Sequence, residues 1–373
     1  MTTLLRRTRN AARRPPFAAL KFSNSNRKRI STFKHLKEAR FESSRYRAVG
    51  KLGFGVTSTV WLARDLDGGC QYVTLKVYTR DEDNQEEFQI YKQLSKGSSS
   101  HPCHAHVRSR LETFTIFRRG GDHHCLVQKP MWESFSDLQY RNPAQRFTGL
   151  MQVFLALDYL HTECKLVHTD IKGENILPEI EDTAVLESFT KAELENPPPR
   201  ISIHGAPVYT SRQFDLPEIF CRAALSDFGS AVQGDEQRNY NAQPNVYPVD
   251  IWNVGVMIWD LFEGKPMFYG NDPDGEGYST RAHLAEVIGI LGPPALDLIS
   301  RGTKSRKFFT EDGKWKQDIQ VPKDTSLEEA EEFLEGRHKA MFLKFMRGMP
   351  LWWPEDRKTA RELLEDPWLN EEF

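Results

Sequence analysis

The string His168-Thr169-Asp170-Ile171-Lys172-Gly173-Glu174-Asn175 puts a carboxylate, an ammonium and an amide in one short segment, and Asp227-Phe228-Gly229 adds a second carboxylate further on. Phosphoryl transfer from ATP needs such a set. It asks for a positioned hydroxyl, metal ions on the phosphates and positive charge where negative charge accumulates. On that reading Asp170 orients the attacking hydroxyl and takes its proton, and Lys172 steadies the moving phosphoryl group. Asn175 and Asp227 offer the hard oxygen ligands that magnesium prefers. A His-x-Asp tripeptide alone would say little; the ordered set at this spacing argues against a purely structural role.

Such groups need elements to hold them. Leu52-Gly53-Phe54-Gly55-Val56-Thr57-Ser58-Thr59-Val60 lies between two strand-like runs, 46–52 and 59–64, which predicts a hairpin. Its glycines let backbone approach phosphates closely, and Val60 is available to cover an adenine ring. The third glycine of the usual pattern is Ser58 here. The next run, 71–78, alternates as a strand and sets Lys76 among apolar neighbours. After a phosphate-binding hairpin, that lysine reads as a buried cation with a phosphate partner rather than a snorkelling edge residue. Its acidic partner is expected on a helix over 84–94. There Phe88, Ile90, Tyr91 and Leu94 mark the packing face and leave Glu87 beside it, with Glu86 the alternative.

The coarse organisation is α+β and bilobal. Residues 1–45 form a basic tail, 46–130 a β-rich small lobe with one helix, and 131–373 a helical large lobe. The small lobe ends in the strand His124-Cys125-Leu126-Val127. Gln128-Lys129-Pro130-Met131 follows and leads into the large lobe. A long amphipathic helix over 144–162, with apolar Phe147, Leu150, Met151, Phe154, Leu155 and Leu160, runs into the Asp170 loop. His101, Cys103, His104 and His106 with His123, His124 and Cys125 invite a zinc reading. The second group lies on a strand, where alternate side chains face opposite ways, so no zinc is expected.

These strings together resemble eukaryotic protein kinases, and specifically the SR-protein-kinase-like branch as fungi carry it. The similarity rests on 51–62, on His168-Thr169-Asp170-Ile171-Lys172 and on Leu225-Ser226-Asp227-Phe228-Gly229-Ser230-Ala231. It extends through Val249-Asp250-Ile251-Trp252-Asn253-Val254-Gly255, 277–286 and the close at 359–369. The resemblance implies a serine/threonine kinase of the protein-kinase fold that uses ATP and magnesium, with 128–131 as the hinge, where the backbone of Lys129 and Met131 would bond adenine and Gln128 would guard the space behind it. It also implies a large-lobe acidic groove for arginine- and serine-rich substrates, to which Asp272, Asp274 and Glu276 would belong, although Arg281 brings a positive charge there. Thr169 stands where many kinases have arginine, implying activity that is not gated by phosphorylation of the activation segment. The spacer between Asn175 and Asp227 (about 178–224) reads as a surface excursion common in this branch.

One departure cuts deeper. Asp227 and Asp250 are only 23 residues apart, no Ala-Pro-Glu motif lies between them, and Gln243-Pro244-Asn245-Val246-Tyr247 passes straight into Pro248. That is a shortening of about a dozen residues. The peptide substrate thereby loses a platform, and misplacement by about 1 Å can cost roughly a hundredfold in rate. Arg357, which resembles the arginine that pairs with the missing glutamate, is expected to lack that partner and to leave a partly buried charge unpaired. The alternative to an active kinase is therefore an ATP-binding pseudokinase or scaffold. A small-molecule phosphotransferase fits less well with the peptide-kinase-like close at 359–369.

Bulk composition is compatible with this reading. The 373 residues are enough for two lobes around one cleft, and 39% hydrophobic content supplies their cores. Five scattered cysteines without Cys-x-x-Cys spacing point to a reduced compartment, and no run of about eighteen apolar residues predicts a membrane span. The first 37 residues hold eleven Lys or Arg and no acid; the rest carries 39 basic against 52 acidic residues, a formal charge of −13. An acidic body suits a basic peptide and repels a nucleic-acid backbone. The expected molecule is a monomer of the cytoplasm or nucleus. The arginine-rich start also has the composition of a mitochondrial presequence, a less favoured reading.

Overall fold

The computed structural model describes residues 40–41 and 45–371 apart from 56, 70, 80–84, 99, 118–120, 143–148, 204–205, 217–221, 235–245, 276 and 324. The small lobe is built on an antiparallel sheet of β1 (Arg40–Phe41), β2 (Tyr46–Phe54), β3 (Ser58–Asp65), β4 (Gln71–Tyr78), β5 (Glu112–Ile116) and β6 (His123–Gln128), ordered β1-β2-β3-β4-β6-β5. Alternation along β4 decides what each face does. Val73, Leu75 and Val77 enter a core with Tyr46, Trp61, Phe114, Cys125 and Val127, which leaves Lys76 on the other face. Strand β1 falls in the stretch that the sequence reading set aside as tail; Phe41 pairs with Tyr46 and Arg40 with Arg47, so the sheet begins earlier. Two residues are too short to show a period of two.

Helix α1 (Gln85–Leu94) packs across this sheet, and α2 (Phe135–Arg141) opens the large lobe after the hinge. Helix α3 (Leu150–Tyr159) runs on into a π-helical turn, Leu160–Cys164, closed by Lys165 at φ 54°. The helix expected over 144–162 is thus present from Leu150, while Phe147 lies outside the described residues. Its buried face differs from the expected one. Met151 is 39% exposed, whereas Val153, Phe154, Ala156, Leu157, Tyr159 and Leu160 are buried. A helix this apolar all round carries no clear phase in its sequence.

Helix α5 (Pro248–Glu263) starts on a proline and ends at Gly264, whose φ of 65° is the left-handed stop that glycine adopts freely. It forms the large-lobe core with α3 and with α7 (Gly336–Met346) through Val254, Ile258, Trp259, Phe342 and Phe345. Helix α6 (Thr280–Leu291) lies between them in sequence. At the C-terminal end of α5, buried Glu263 has no hydrogen-bond partner on either carboxyl oxygen. Burial, reinforced by the neighbouring Glu331, pushes its pKa up to about 7. A raised folded pKa means stability that is present below the unfolded value, near 4.5, and lost as pH rises through 7. Glu263→Gln is expected to stabilise the protein by roughly 2 kcal/mol at pH 8 and to leave it unchanged at pH 4. Thermal unfolding at the two pH values checks this; equal gains at both would remove ionisation as the cause.

The spacer is not a loose excursion. Helix α4 (Ala184–Glu195) and the hairpin of β9 (Arg200–Ile203) and β10 (Ala206–Tyr209) lie in it. Leu186 and Phe189 of α4 and Phe214 beyond the hairpin form a core with Leu62, Leu52 and the hinge residue Trp132. Gly50 must be glycine here, since a Cβ would lie 2.7 Å from the Phe189 ring. Glu133 accepts from Phe214 N at 2.8 Å, and Arg141 donates to Phe214 O at 2.8 Å. Arg212 donates to Glu193 at 2.7 Å. The spacer therefore clasps β2 and the hinge, a long-range packing that its acidic, proline-ended sequence does not reveal.

Candidate active site

The hairpin of β2 and β3 carries two register shifts, between Ala48 and Gly50 and between Lys51 and Gly53, and Gly55 N closes its turn on Ser58 O at 2.8 Å. A Cβ at Gly53 would meet no atom within 4 Å, so the space beside that backbone is open. Leu52 and Val60 are half-buried, Ser58 and Thr59 buried, and Phe54, Gly55 and Thr57 exposed; Val56 lies outside the described residues.

On the face of β4 opposite the core, Lys76 Nζ stands 2.9 Å from Glu87 Oε1 and 2.9 Å from Asp227 Oδ1. Glu87 is buried and shares its helix face with Ile90, Tyr91 and Leu94, while Glu86 points to solvent. Burial works against the Lys76 charge, but the two carboxylates outweigh it and hold the ammonium above its ordinary pKa. Burial would likewise raise Asp227; Lys76 and the Gly229 backbone N–H overcome this and keep it ionised below the usual carboxylate range.

The Asp170 loop is held from beneath. Asp250, fully buried at the start of α5, accepts from His168 N at 2.8 Å, Thr169 N at 2.7 Å and His161 Nε2 at 2.9 Å. Asn253 donates to Thr169 O at 2.8 Å, and Thr169 donates to Ser230 O at 2.8 Å. Thr169 and Asp227 both have positive φ, 69° and 64°, a strained conformation for non-glycine residues that these bonds sustain. His168 donates from Nε2 to Ser226 O at 3.0 Å and accepts from Asp170 N at Nδ1, the pattern of a neutral ring, and burial lowers its pKa accordingly. Its ring packs on Phe228 at 5.0 Å, and Phe228 on Tyr91 at 5.5 Å. Gln128, the polar residue behind the hinge, is buried and donates to Tyr91 Oη at 3.2 Å, which accounts for a polar side chain there.

Lys172 Nζ lies 2.6 Å from Asp170 Oδ2. Asn175 Nδ2 donates to Asp170 O at 2.8 Å and to Asp170 Oδ2 at 3.1 Å, which leaves its oxygen as the atom to offer a cation. Asp227 is 52% exposed and ionised, so the donor chemistry suits a hard divalent ion. At the hinge, Lys129 is exposed and Met131 buried; Lys129 O already accepts from Arg108 at 3.0 Å, which leaves one lone pair. The structure thus brings Lys76, Glu87 and Asp227 together, and Asp170 together with Lys172 and Asn175. Asp250 and Tyr91 were missed as functional groups. An acid inside the apolar run 249–259 was the available signal for the first.

Two expectations need correction. Arg357 is not orphaned: it donates to Leu351 O at 2.9 and 2.7 Å and to Pro248 O at 2.8 Å, and its guanidinium lies 5.0 Å from the Trp252 ring centre. Burial lowers its pKa to about 10. Carbonyl oxygens thus take the place of a glutamate. Nor are Asp272 and Asp274 free groove acids. Arg281 donates to Asp272 at 2.7 and 2.8 Å, to Asp274 at 3.1 Å and to Asp318 at 2.7 Å. Glu276 lies outside the described residues, as does much of the shortened segment. Of the histidines read for zinc, His101 caps Cys103 N and His123 donates to Tyr78 O.

Residues 46–369 match the family described as Protein kinase domain. A serine/threonine protein kinase of Aspergillus fumigatus is 40% identical over 348 residues, covering 87% of this chain and 84% of its own. The serine/threonine-protein kinase SRPK of Physarum polycephalum is 27% identical over 379 residues, covering 87% and 86%. SRSF protein kinase 3 of Mus musculus is 32% identical over 182 residues, covering 44% and 32%.

Proposed function

The chain belongs to the protein kinase family and is a serine/threonine protein kinase, and from that premise we propose which of its residues carry the reaction and what it phosphorylates. Kinases of this family use ATP with magnesium in general. Here Asn175 and Asp227 would hold the metal, which shields the phosphate charge when bound. Lys76, fixed by Glu87, would bind phosphate oxygens under the backbone of 52–60, with adenine against Val60 and the backbone of Lys129 and Met131. Asp170 orients the substrate hydroxyl and accepts its proton as the oxygen–phosphorus bond forms and the bond to the departing diphosphate breaks. Lys172 offsets charge on the group in transit.

The observation that carries this reading is the Lys76–Glu87–Asp227 contact set within one cleft with Asp170 and Asn175. Its test is transfer of labelled phosphate from Mg-ATP to a basic serine-rich peptide. Protein that binds Mg-ATP yet transfers nothing would overturn it. The non-catalytic alternative draws no support from Arg357, whose guanidinium donates to the carbonyls of Leu351 and Pro248.

For the substrate we favour basic, arginine- and serine-containing protein segments, supported by the acidic body and by the names of the SRPK and SRSF kinase relatives. Arg281 now occupies the acidic cluster that such segments would seek. Arg281→Ala is expected to lower KM for an Arg/Ser peptide about threefold to tenfold at low salt, an effect lost at high salt. An unchanged KM would show that this cluster takes no substrate. A monomer in cytoplasm or nucleus remains the proposed setting, in keeping with the free thiols of Cys103 and Cys164.

A further inference from the structure

Between the 104–109 segment, the hinge and β11 (Ala223–Leu225) lies a cavity of about 110 Å³, lined by Arg108, Lys129, His104, Met131, Glu179 and Ala224 among others. The reaction above uses the backbone of two of its lining residues, Lys129 and Met131, and none of its charged side chains. Arg108 enters it from a backbone tied to β11, since its N donates to Leu225 O at 2.8 Å. Its guanidinium bonds reach no carboxylate: one goes to Lys129 O at 3.0 Å, another to Ser226 Oγ at a long 3.5 Å, and Nε is buried without a partner. Burial lowers the Arg108 pKa to about 10 against the opposing charge of Asp227.

The neighbouring charges add to the imbalance. Lys129 Nζ lies 3.6 Å from Glu179, and the same carboxylate takes Arg222 at 2.8 Å. Two cations therefore share one carboxylate, and Arg108 lines the same cavity. Arg108 is half-buried with no carboxylate bonded to it, and an anion that enters supplies that partner. The volume admits roughly three to four waters, or one tetrahedral oxyanion. A planar guanidinium beside an ammonium is suited to phosphate oxygens.

We propose that this cavity is a second binding site, which takes a phosphate group through Arg108 and Lys129. The group is either free inorganic phosphate or the phosphate of a modified serine on a protein segment. Arg108 bonds the carbonyl of Lys129 in the hinge and the hydroxyl of Ser226, the residue before Asp227. An occupant thus touches the hinge and, through Arg108, the residue before Asp227.

The test is calorimetric titration of the full chain with inorganic phosphate and, separately, with a short phosphoserine peptide and its unmodified form. Saturating magnesium and a non-hydrolysable ATP analogue fill the cleft, and failure of that analogue to bind would be seen first and would count against the proposed function alone. Saturable binding is expected, weakened at least tenfold by Arg108→Met and tightened severalfold by Glu179→Gln, which removes the competing carboxylate. The second variant keeps the test decisive if the first folds poorly. Binding of the phosphopeptide alone assigns the modified side chain as the source, and binding of inorganic phosphate assigns the free ion. No saturable binding in either arm, or binding that neither substitution moves, overturns the site.

Discussion

Asp170→Ala is expected to lower phosphate transfer to a serine peptide by about 10²–10⁴-fold while the protein still folds and still binds Mg-ATP. The carboxylate is 40% exposed and its Oδ2 contacts only Lys172 and Asn175, at 2.6 and 3.1 Å, so its loss strips little from the core. The loop keeps its shape through backbone groups: Asn175 still reaches Asp170 O, and Asp250 still holds His168 N and Thr169 N. What disappears is the one acceptor able to orient a hydroxyl and take its proton. The signature is therefore a fall in kcat, with unfolding temperature and nucleotide affinity near wild type. Asp170→Asn should fall similarly, because an amide keeps a hydrogen-bond acceptor but not the basicity. A loss smaller than tenfold would remove Asp170 from that role, and a parallel loss of nucleotide affinity would mean that the substitution had disturbed the cleft.

How far the site could be read from sequence depended on distance along the chain. Asp170, Lys172 and Asn175 share one loop, so their spacing nearly dictates their proximity. Lys76 and Glu87 are separated by a strand-to-helix connection, yet helix phase was enough, since Glu87 lies three, four and seven residues before Ile90, Tyr91 and Leu94. The sheet was equally legible from alternation in 46–78. Contacts made across the fold were not. Arg357 finds Pro248 O across 109 residues, and Phe214 finds Glu133 across 81. No periodicity encodes such pairings. Analogy misled there, because it named the partner Arg357 had lost and not the carbonyls that stood ready. Arg281 shows the same limit: its charge was visible, but not that it would gather Asp272, Asp274 and Asp318 around itself.

Asp250→Ala is the substitution expected to damage both stability and rate. The carboxylate is fully buried and accepts three hydrogen bonds, two from consecutive backbone N–H groups of the Asp170 loop. Alanine leaves those donors without their acceptor. At about 1–3 kcal/mol for each unsatisfied group, with partial relaxation, the cost is about 3–5 kcal/mol. Denaturant unfolding should show it as a lower midpoint at similar slope. The kinetic effect has a separate origin. Thr169 sits at a φ of 69°, and its peptide N–H is pinned to Asp250 at 2.7 Å. Released, that residue has every reason to relax toward negative φ, carrying Asp170 with it. A shift of about 1 Å is enough for roughly a hundredfold loss of kcat. Asp250→Asn separates the two effects. Its amide oxygen can keep one backbone donor, but its NH₂ group confronts the other, so it should lose less stability than alanine and still lose rate. If Asp250→Ala instead keeps kcat within about threefold at a temperature where it is folded, the loop geometry is set elsewhere. The neighbouring bonds of Asn253 and Ser230 to Thr169 would then be the ones that hold Asp170 in place.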